Sequence, residues 1–139
     1  MDLNIMAVVV ATIAQFVVGA IWYTPLFGKL WGQIHGFDKL SKAVQDKMVK
    51  EMGPYYGLQL LVTIFTSIVM GMLVADSGLR WSVFMLAALI WIGFVVPAQV
   101  SSVIFGGTDA KWLWKKIAVQ AGGSLACLEA AALVFYLMG

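Results

Sequence analysis

Four long apolar runs, at residues 3–23, 56–75, 82–105 and 117–138, fill most of this 139-residue chain. Each run has about 20 residues or slightly more, the helix length that spans roughly 30 Å of hydrocarbon at about 1.5 Å per residue. Hydrophobic residues make up 62% of the sequence and charged residues 12%, against about 45–50% and about 25% in soluble domains. A core of this size cannot hide that excess from water, so we expect lipid to surround the chain.

Helices are the expected form of these runs, because a backbone inside a bilayer has no water to bond with. The runs lack the alternation over about 10 residues that is typical of barrel strands. The sequence therefore predicts an all-α membrane protein, a four-transmembrane-helix bundle forming a single transmembrane domain over residues 1–139. The first run has no basic segment before it and no small-residue cleavage site after it, which favours a retained helix over a signal peptide.

The basic residues divide the connecting segments into two classes. Of the nine Lys and Arg residues, all except Arg80 lie between the first and second runs or between the third and fourth. Basic loops stay cytoplasmic, so the pattern predicts both lysine-bearing loops inside and both termini outside, in a bacterial inner (plasma) membrane. The net charge of +2 then reflects topology, and we expect no nucleic-acid partner.

A short amphipathic helix is predicted between the first two runs, over about residues 38–52. Leu40, Val44, Met48 and Met52 recur at every fourth position, and Asp38 is a suitable N-cap. Because membrane runs flank this segment on both sides, we expect it to lie in the membrane interface. A solvated helix packed on the bundle is the alternative.

Aromatic side chains beside the runs predict where the interfaces lie, since their rings favour the headgroup level. The predicted interface anchors are Trp22, Tyr23, Trp31, Trp112 and Trp114.

Two prolines interrupt the apolar runs. Pro25 is expected to break or kink helix one, and Pro97 to kink helix three in its cytoplasmic half. Each half of the chain thus has a proline-bearing helix, a Phe-Gly pair, a basic segment with tryptophan and a returning helix. A parallel duplication and two independent solutions to one interface problem both remain open.

Helix four carries small residues at every fourth position. They are Ala118, Gly122, Ala126 and Ala130. Such a ribbon lets another helix approach closely. The sequence predicts a helix-packing face here, whose partner lies within the chain or in a second copy.

Glu129 is the only charged residue inside the four runs. A charge at such depth costs at least about 2.5 kcal/mol, so it calls for a partner or a function. Counted from the outer helix ends, Gln15 or Thr12 of helix one lies within reach of a hydrogen bond. Two interpretations stay open: a hydrogen-bonded glutamic acid that joins two helices, or a proton or cation site in a transport path.

Three further glutamines, Gln59, Gln99 and Gln120, fall in the cytoplasmic halves of their helices. With Gln15 and Glu129 they form the predicted intramembrane polar site. They line a polar vestibule in one interpretation and only bond between helices in the other.

Enzymatic chemistry has little support in the sequence. His35 is the single histidine and Cys127 the single cysteine, and there is no Gly-rich phosphate loop or Ser-His-Asp set. We therefore predict no catalytic, cofactor-binding or metal-binding residue and no cofactor.

The segment W-Y-T-P-L-F-G-K-L-W at 22–31, with M-G-P-Y at 52–55 and W-I-G-F-V-V-P at 91–97, resembles a family of small four-helix membrane proteins known only as a domain of unknown function. The resemblance implies an integral membrane protein and carries no activity or substrate. We expect a non-enzymatic homo-oligomer or a small accessory subunit of a membrane complex, whose partners are lipid and itself or another membrane protein. A small proton- or cation-linked transporter or channel using Glu129 is the alternative.

Overall fold

The computed structural model of the protein describes residues 2–76 and 82–139, and this part of the chain is all-helical. Four helical spans in it are long and apolar enough to cross a membrane: span 1, Ile5–Leu26; span 2, Gly53–Ala75; span 3, Val83–Phe105; and span 4, Ala110–Met138. The prediction of an all-α chain with four long apolar helices is confirmed. The sequence Asp76-Ser77-Gly78 also predicts a tight outer turn between the second and third runs; its residues after Asp76, together with Arg80, lie outside the described residues.

The spans and their connections are built from seven α-helices in the described part. They are α1 Ile5–Ile21, α2 Gly28–Ile34, α3 Lys42–Glu51, α4 Gly53–Ala75, α5 Val83–Ile90, α6 Val96–Phe105 and α7 Leu113–Met138. Helix α3 falls within the predicted 38–52, but the N-cap prediction was wrong. Asp38 belongs to a separate 3-10 turn, and the extended Ser41 caps α3 by accepting a hydrogen bond from the N–H of Val44.

Spans 1 and 3 each contain a π-helical turn close to the proline that the sequence marks. The turn Trp22–Leu26 encloses Pro25, and the turn Trp91–Val95 ends just before Pro97. A proline lacks the N–H of a regular turn and its ring collides with the carbonyl four residues earlier. The wider turn accommodates both effects, so span 1 continues to Leu26 through the expected break and span 3 continues to Phe105.

Helix α7 is the centre of the bundle. It packs most extensively on α1 and also on α5 and α6, while α4 packs mainly on α1. Its buried residues are Val119, Ala121, Gly123, Leu128, Ala131, Ala132 and Phe135. Of the predicted packing ribbon, Ala118 is exposed and the other three residues are only partly buried. The ribbon therefore borders the packed face of α7 and does not form its centre.

The bundle has two distinct ends. At one end, the side-chain amide of Asn4 donates a hydrogen bond to the carbonyl of Met138 at 2.8 Å, which brings the two chain termini together. At the other end, segments 33–39 and 106–116 form the two sides of one cleft. We call the two parts of the bundle the terminal half and the loop half. An apolar core cluster fills the terminal half, with Ala7, Ala11, Met70, Ala131, Ala132 and Phe135 among its members.

Candidate functional site

A polar cavity of about 370 Å³ occupies the loop half. Each of the four spans contributes one glutamine to its wall: Gln15, Gln59, Gln99 and Gln120. Hydroxyl and thiol groups complete the polar lining, from Tyr23, Thr63, Thr66, Ser124 and Cys127. None of the described lining residues carries a charge. The cavity is thus a neutral hydrogen-bonding site inside an apolar bundle.

Gln15 closes the cavity toward the terminal half. Its side-chain Nε2 donates to Ser67 Oγ at 2.8 Å, which joins span 1 to span 2, and lies 3.4 Å from the carbonyl of Ala11. Both side chains are buried, since Gln15 is 5% exposed and Ser67 is 0% exposed. This bond marks the boundary between the polar cavity and the apolar core.

Gln99 joins span 3 to span 4 on the opposite wall. Its Nε2 donates to Ser124 Oγ and lies 3.5 Å from the carbonyl of Gln120. The side-chain oxygens Oε1 of Gln99 and Gln120 are buried, and neither accepts a hydrogen bond from the described residues. A buried acceptor without a donor costs about 1–3 kcal/mol. Both oxygens therefore lack the donor that a buried amide oxygen needs, and both belong to residues that line the cavity.

Two tryptophans hold spans 1 and 3 against α7 beside the cavity. The indole Nε1 of Trp22 donates to the carbonyl of Val119 at 2.9 Å, and that of Trp91 donates to the carbonyl of Ala121 at 2.8 Å. Each tryptophan is the first residue of a π-helical turn. Both proline-bearing spans thus contact α7 in the same manner, two residues apart along its backbone.

Two adjacent glycines of α7 make room for the Trp22 ring. A Cβ atom on Gly122 would lie 2.8 Å from Cζ2 of the ring, and one on Gly123 would lie 2.9 Å from Cδ1. Trp22 is therefore directed into the bundle, whereas the sequence predicts that it anchors the helix at the membrane interface. Gly122 of the predicted ribbon faces this ring and not a neighbouring helix backbone.

The other predicted anchors divide in the same way. Tyr23 lines the cavity, and its ring meets that of Trp31 edge-on at 5.0 Å. Trp112 lies at the loop end with two lysine ammonium groups 5.6 and 5.2 Å from its ring. Trp114 is 77% exposed. Trp112 and Trp114 therefore keep the features of interface anchors. Trp112 has basic neighbours at the loop end, and Trp114 is highly exposed.

A second, more apolar crevice of about 610 Å³ adjoins the cavity between spans 1 and 2. Gln15, Tyr23 and Gln59 line both spaces. Gln59 is exposed, so it stands at the rim where the two spaces meet. The polar cavity consequently has an opening along the side of the bundle.

Glu129, the fifth residue of the predicted polar site, lies outside the cavity. Cys127, two residues earlier, donates its thiol to the carbonyl of Gln15 at 3.4 Å and so marks the face of α7 that meets span 1. At about 100° per residue, Glu129 is rotated by about 200° from that face. Its neighbours there are Leu133 and Tyr136, which are 48% and 68% exposed.

The hydrogen bond predicted between Gln15 and Glu129 is therefore absent. Gln15 bonds to Ser67 instead, and Thr12, the other predicted partner, donates to the carbonyl of Val8 at 2.8 Å. Within residues 2–76 and 82–139, no hydrogen bond or ion pair reaches the Glu129 carboxyl group.

Sequence reasoning did not assign the cavity residues Thr63 and Ser124 to the polar site, although both belong to a simple pattern. On α4, Gln59, Thr63 and Ser67 follow one another at every fourth position, and on α7 Gln120 and Ser124 do the same. Such spacing places polar groups on one face of a helix. Two polar stripes in apolar helices were the available signal for a shared cavity.

In the part of the chain that the structure describes, no three His, Cys, Asp or Glu side chains come together as a metal site would require. The arrangement defines a small all-helical protein with four potential membrane spans around a neutral polar cavity. Residues 6–136 match the family described as "Protein of unknown function (DUF1761)", and the chain belongs to this family. The chain matches no curated protein and no solved structure.

Proposed function

We propose that this chain is a non-enzymatic integral membrane protein that binds a small neutral molecule in the glutamine-lined cavity. The observation that carries the proposal is the meeting of four glutamines from four spans, with two buried amide oxygens that lack a donor. A ligand with N–H or O–H groups would satisfy both oxygens once the two side-chain amides turn toward the cavity.

Membrane insertion is supported by the outer surface of the bundle. Only 6% of the most apolar window of span 3 is buried inside the chain, and Phe94 and Leu137 are 77% and 71% exposed. A surface of this kind is soluble in lipid and costly in water. The lysine-bearing loops then belong on the cytoplasmic side of a bacterial plasma membrane. Helix α3, with Val44 and Met48 exposed, would lie in the adjacent interface.

The neutral lining determines the chemical class of the ligand. A bare ion would leave water for a site without a compensating charge, which is unfavourable by several kcal/mol. Amide and hydroxyl groups bind other amides and hydroxyls with no such cost. When no ligand is bound, the cavity has room for several water molecules.

Protection of Cys127 from thiol modification tests ligand binding directly, because this single cysteine lines the cavity. The protein in proteoliposomes is treated with a small methanethiosulfonate, with and without a neutral amide. Acetamide, which has N–H donors, should slow the modification. N,N-dimethylacetamide has the same carbonyl and no N–H donor, and it should protect far less. Equal rates with the two amides would contradict the proposal.

Replacing the acceptors provides the matched control. Gln99→Leu and Gln120→Leu should remove the protection by acetamide. Gln45→Leu should retain it, because Gln45 donates to the carbonyl of Phe37, outside the cavity. Loss of protection in all three variants, or in none of them, would show that the cavity oxygens do not hold the ligand.

Assembly into a homo-oligomer, or with another membrane protein, is a second candidate role, and Glu129 favours it. A carboxyl group in an apolar span, on a partly exposed helix face and without a hydrogen-bond partner among the described residues, is stabilised if a second copy supplies a hydrogen bond. Glu129→Leu should weaken association in lipid by about three- to thirtyfold, and Glu129→Gln, which still hydrogen-bonds, should retain it. Equal association of both variants and the unmodified chain would contradict this role.

Gly122→Leu, the obvious change to the small-residue ribbon, is unsuitable as a test of assembly. The new side chain would collide with the Trp22 ring inside the same chain. A loss of assembly in that variant would report on the fold and not on the contact between copies.

A further inference from the structure

The cleft at the loop end, between segments 33–39 and 106–116, has a volume of about 400 Å³. It shares no lining residue with the glutamine-lined cavity. Lys39 comes from the first segment, and Lys111 and Lys116 come from the second. Two stretches far apart in sequence thus bring three lysine residues to one cleft.

None of these three lysines forms an ion pair within the described residues. The ion pair found in residues 2–76 and 82–139 joins Lys47 to Glu51 on α3, away from the cleft. Asp109 is the one carboxylate among the described lining residues, and its Oδ1 accepts a hydrogen bond from the backbone N–H of Lys111 at 3.3 Å. Three lysines against one aspartate leave an excess of positive charge.

An unpaired hydroxyl group accompanies this charge. Gly107 has φ +74 and turns the chain back on itself, and Thr108 follows directly as part of the cleft wall. Thr108 Oγ1 is buried and has no hydrogen-bond partner within the described residues. Thr108 lines the cleft, so a rotation of its side chain would let this hydroxyl donate a hydrogen bond to a ligand oxygen.

We propose that the cleft binds a phosphate ester, with the three lysines neutralising the phosphate and the Thr108 hydroxyl donating to one of its oxygens. Lysine is a common phosphate-binding residue that acts as a point charge. The volume of the cleft suits an esterified phosphate better than a bare ion. The same group occurs in anionic lipid headgroups and in soluble phosphate esters, and basic pockets at the cytoplasmic ends of membrane helices bind such headgroups.

Binding to the purified protein in neutral maltoside micelles tests this site. The probes are dioleoylphosphatidylglycerol, sn-glycerol 3-phosphate and, as the neutral reference, dioleoylphosphatidylcholine. Binding of phosphatidylglycerol alone would support the site with a lipid as its source. Binding of glycerol 3-phosphate as well would support it with a soluble source. No preference for either anionic probe over phosphatidylcholine would overturn the proposal.

Two triple variants with the same net charge separate the cleft from general attraction. Replacing Lys39, Lys111 and Lys116 by Gln should weaken binding about fivefold for each lysine. Replacing Lys42, Lys47 and Lys50 on α3 by Gln should have a much smaller effect. Equal losses in the two variants would overturn the proposal, because they would show attraction to net charge only.

Thr108→Val provides a readout that a purely structural role would not move. Valine matches the shape of threonine and lacks the unpaired hydroxyl, so the unliganded protein should unfold at the same or a higher temperature. Affinity for the anionic probe should fall several-fold. Unchanged affinity in this variant would remove Thr108 from the site and overturn the arrangement proposed here.

Discussion

The terminal half and the loop half of this bundle are built from the same four spans and differ in almost every physical respect. In the terminal half, Ala7, Ala11, Ala131 and Ala132 are 0% exposed and the helices meet over small apolar side chains. In the loop half, four glutamines surround a polar cavity of about 370 Å³. Helices that approach over alanines leave no room for water, and helices held further apart must satisfy whatever polar groups fill the gap.

The two π-helical turns explain where the helices separate. Both turns lie in the loop half, and each places an indole ring between its own span and α7. The Trp22 ring packs on Gly122 and Gly123 and bonds to the carbonyl of Val119. The Trp91 ring bonds to the carbonyl of Ala121. The two rings therefore set the spacing of the helices on that side. The bond from Gln15 to Ser67 then separates the polar cavity from the apolar core.

The largest expected effect on the free energy of unfolding comes from a change to the spacing between span 1 and α7. Gly123→Ala would place a Cβ atom 2.9 Å from the Trp22 ring, so the ring must move and its bond to Val119 is lost. We expect the free energy of unfolding, measured by titration with sodium dodecyl sulfate, to fall by about 2–4 kcal/mol.

Gly57→Ala is the matched control for this change, because nothing lies within 4 Å of the new atom. Alanine stabilises a helix more than glycine does, so the free energy of unfolding of this variant should rise by about 0.5–1 kcal/mol. A similar result for Gly57 and Gly123 would show that the Trp22 contact does not set the helix spacing.

A smaller effect on the free energy of unfolding is expected from a change in the terminal half. Phe135→Ala removes a side chain that is 4% exposed in the apolar cluster. A residual void of roughly 100 Å³, at about 24 cal/mol per Å³, corresponds to a loss of about 2 kcal/mol in unfolding free energy. The transfer term that adds to this loss in soluble proteins contributes little here, because separated spans stay in an apolar solvent. Leu137→Ala, at a side chain 71% exposed, should change it little. If both variants behaved alike, the terminal half would not be a packed core.

The boundary between the halves gives a weaker signal. Ser67→Ala removes the acceptor of the buried Gln15 amide. We expect this change to lower the free energy of unfolding by about 0.6–1 kcal/mol. Thr66→Ala is the neighbouring control, since its exposed hydroxyl bonds only to the carbonyl of Val62 in its own helix. Equal unfolding free energies for the two variants would remove the boundary bond from this account.

The smallest effect on either half should come from Glu129→Gln. Because Glu129 lies outside the cavity on a partly exposed face, the rate at which Cys127 is modified should not change. A clear change in that rate would place Glu129 in contact with the cavity, as the transport hypothesis from the sequence requires.

The sequence predicts the elements of this fold better than their rotation. The length of each apolar run is a local property, so four long helices and their irregular turns near Pro25 and Pro97 could be anticipated. Counting residues from the helix ends likewise placed Gln59, Gln99 and Gln120 at one level. Which way a side chain points around its helix depends on the helices that pack against it.

Two residues show the consequence of that limit. Glu129 and Gln15 share a comparable depth, but Cys127 and not Glu129 faces Gln15. Trp22 has the composition and position of an interface anchor, yet Gly122 and Gly123 open a place for its ring inside the bundle. Neither outcome follows from a single helix read alone.

Thiol accessibility in lipid vesicles tests the division into wet and dry halves most directly. The native Cys127 lines the polar cavity, and an Ala131→Cys change in a Cys127→Ser background puts the only thiol at a fully buried position of the apolar core, one turn further along α7. A small charged methanethiosulfonate should modify Cys127 readily and leave the cysteine at 131 unmodified. Equal modification of both thiols, or none at Cys127, would contradict a water-filled cavity above a dry core.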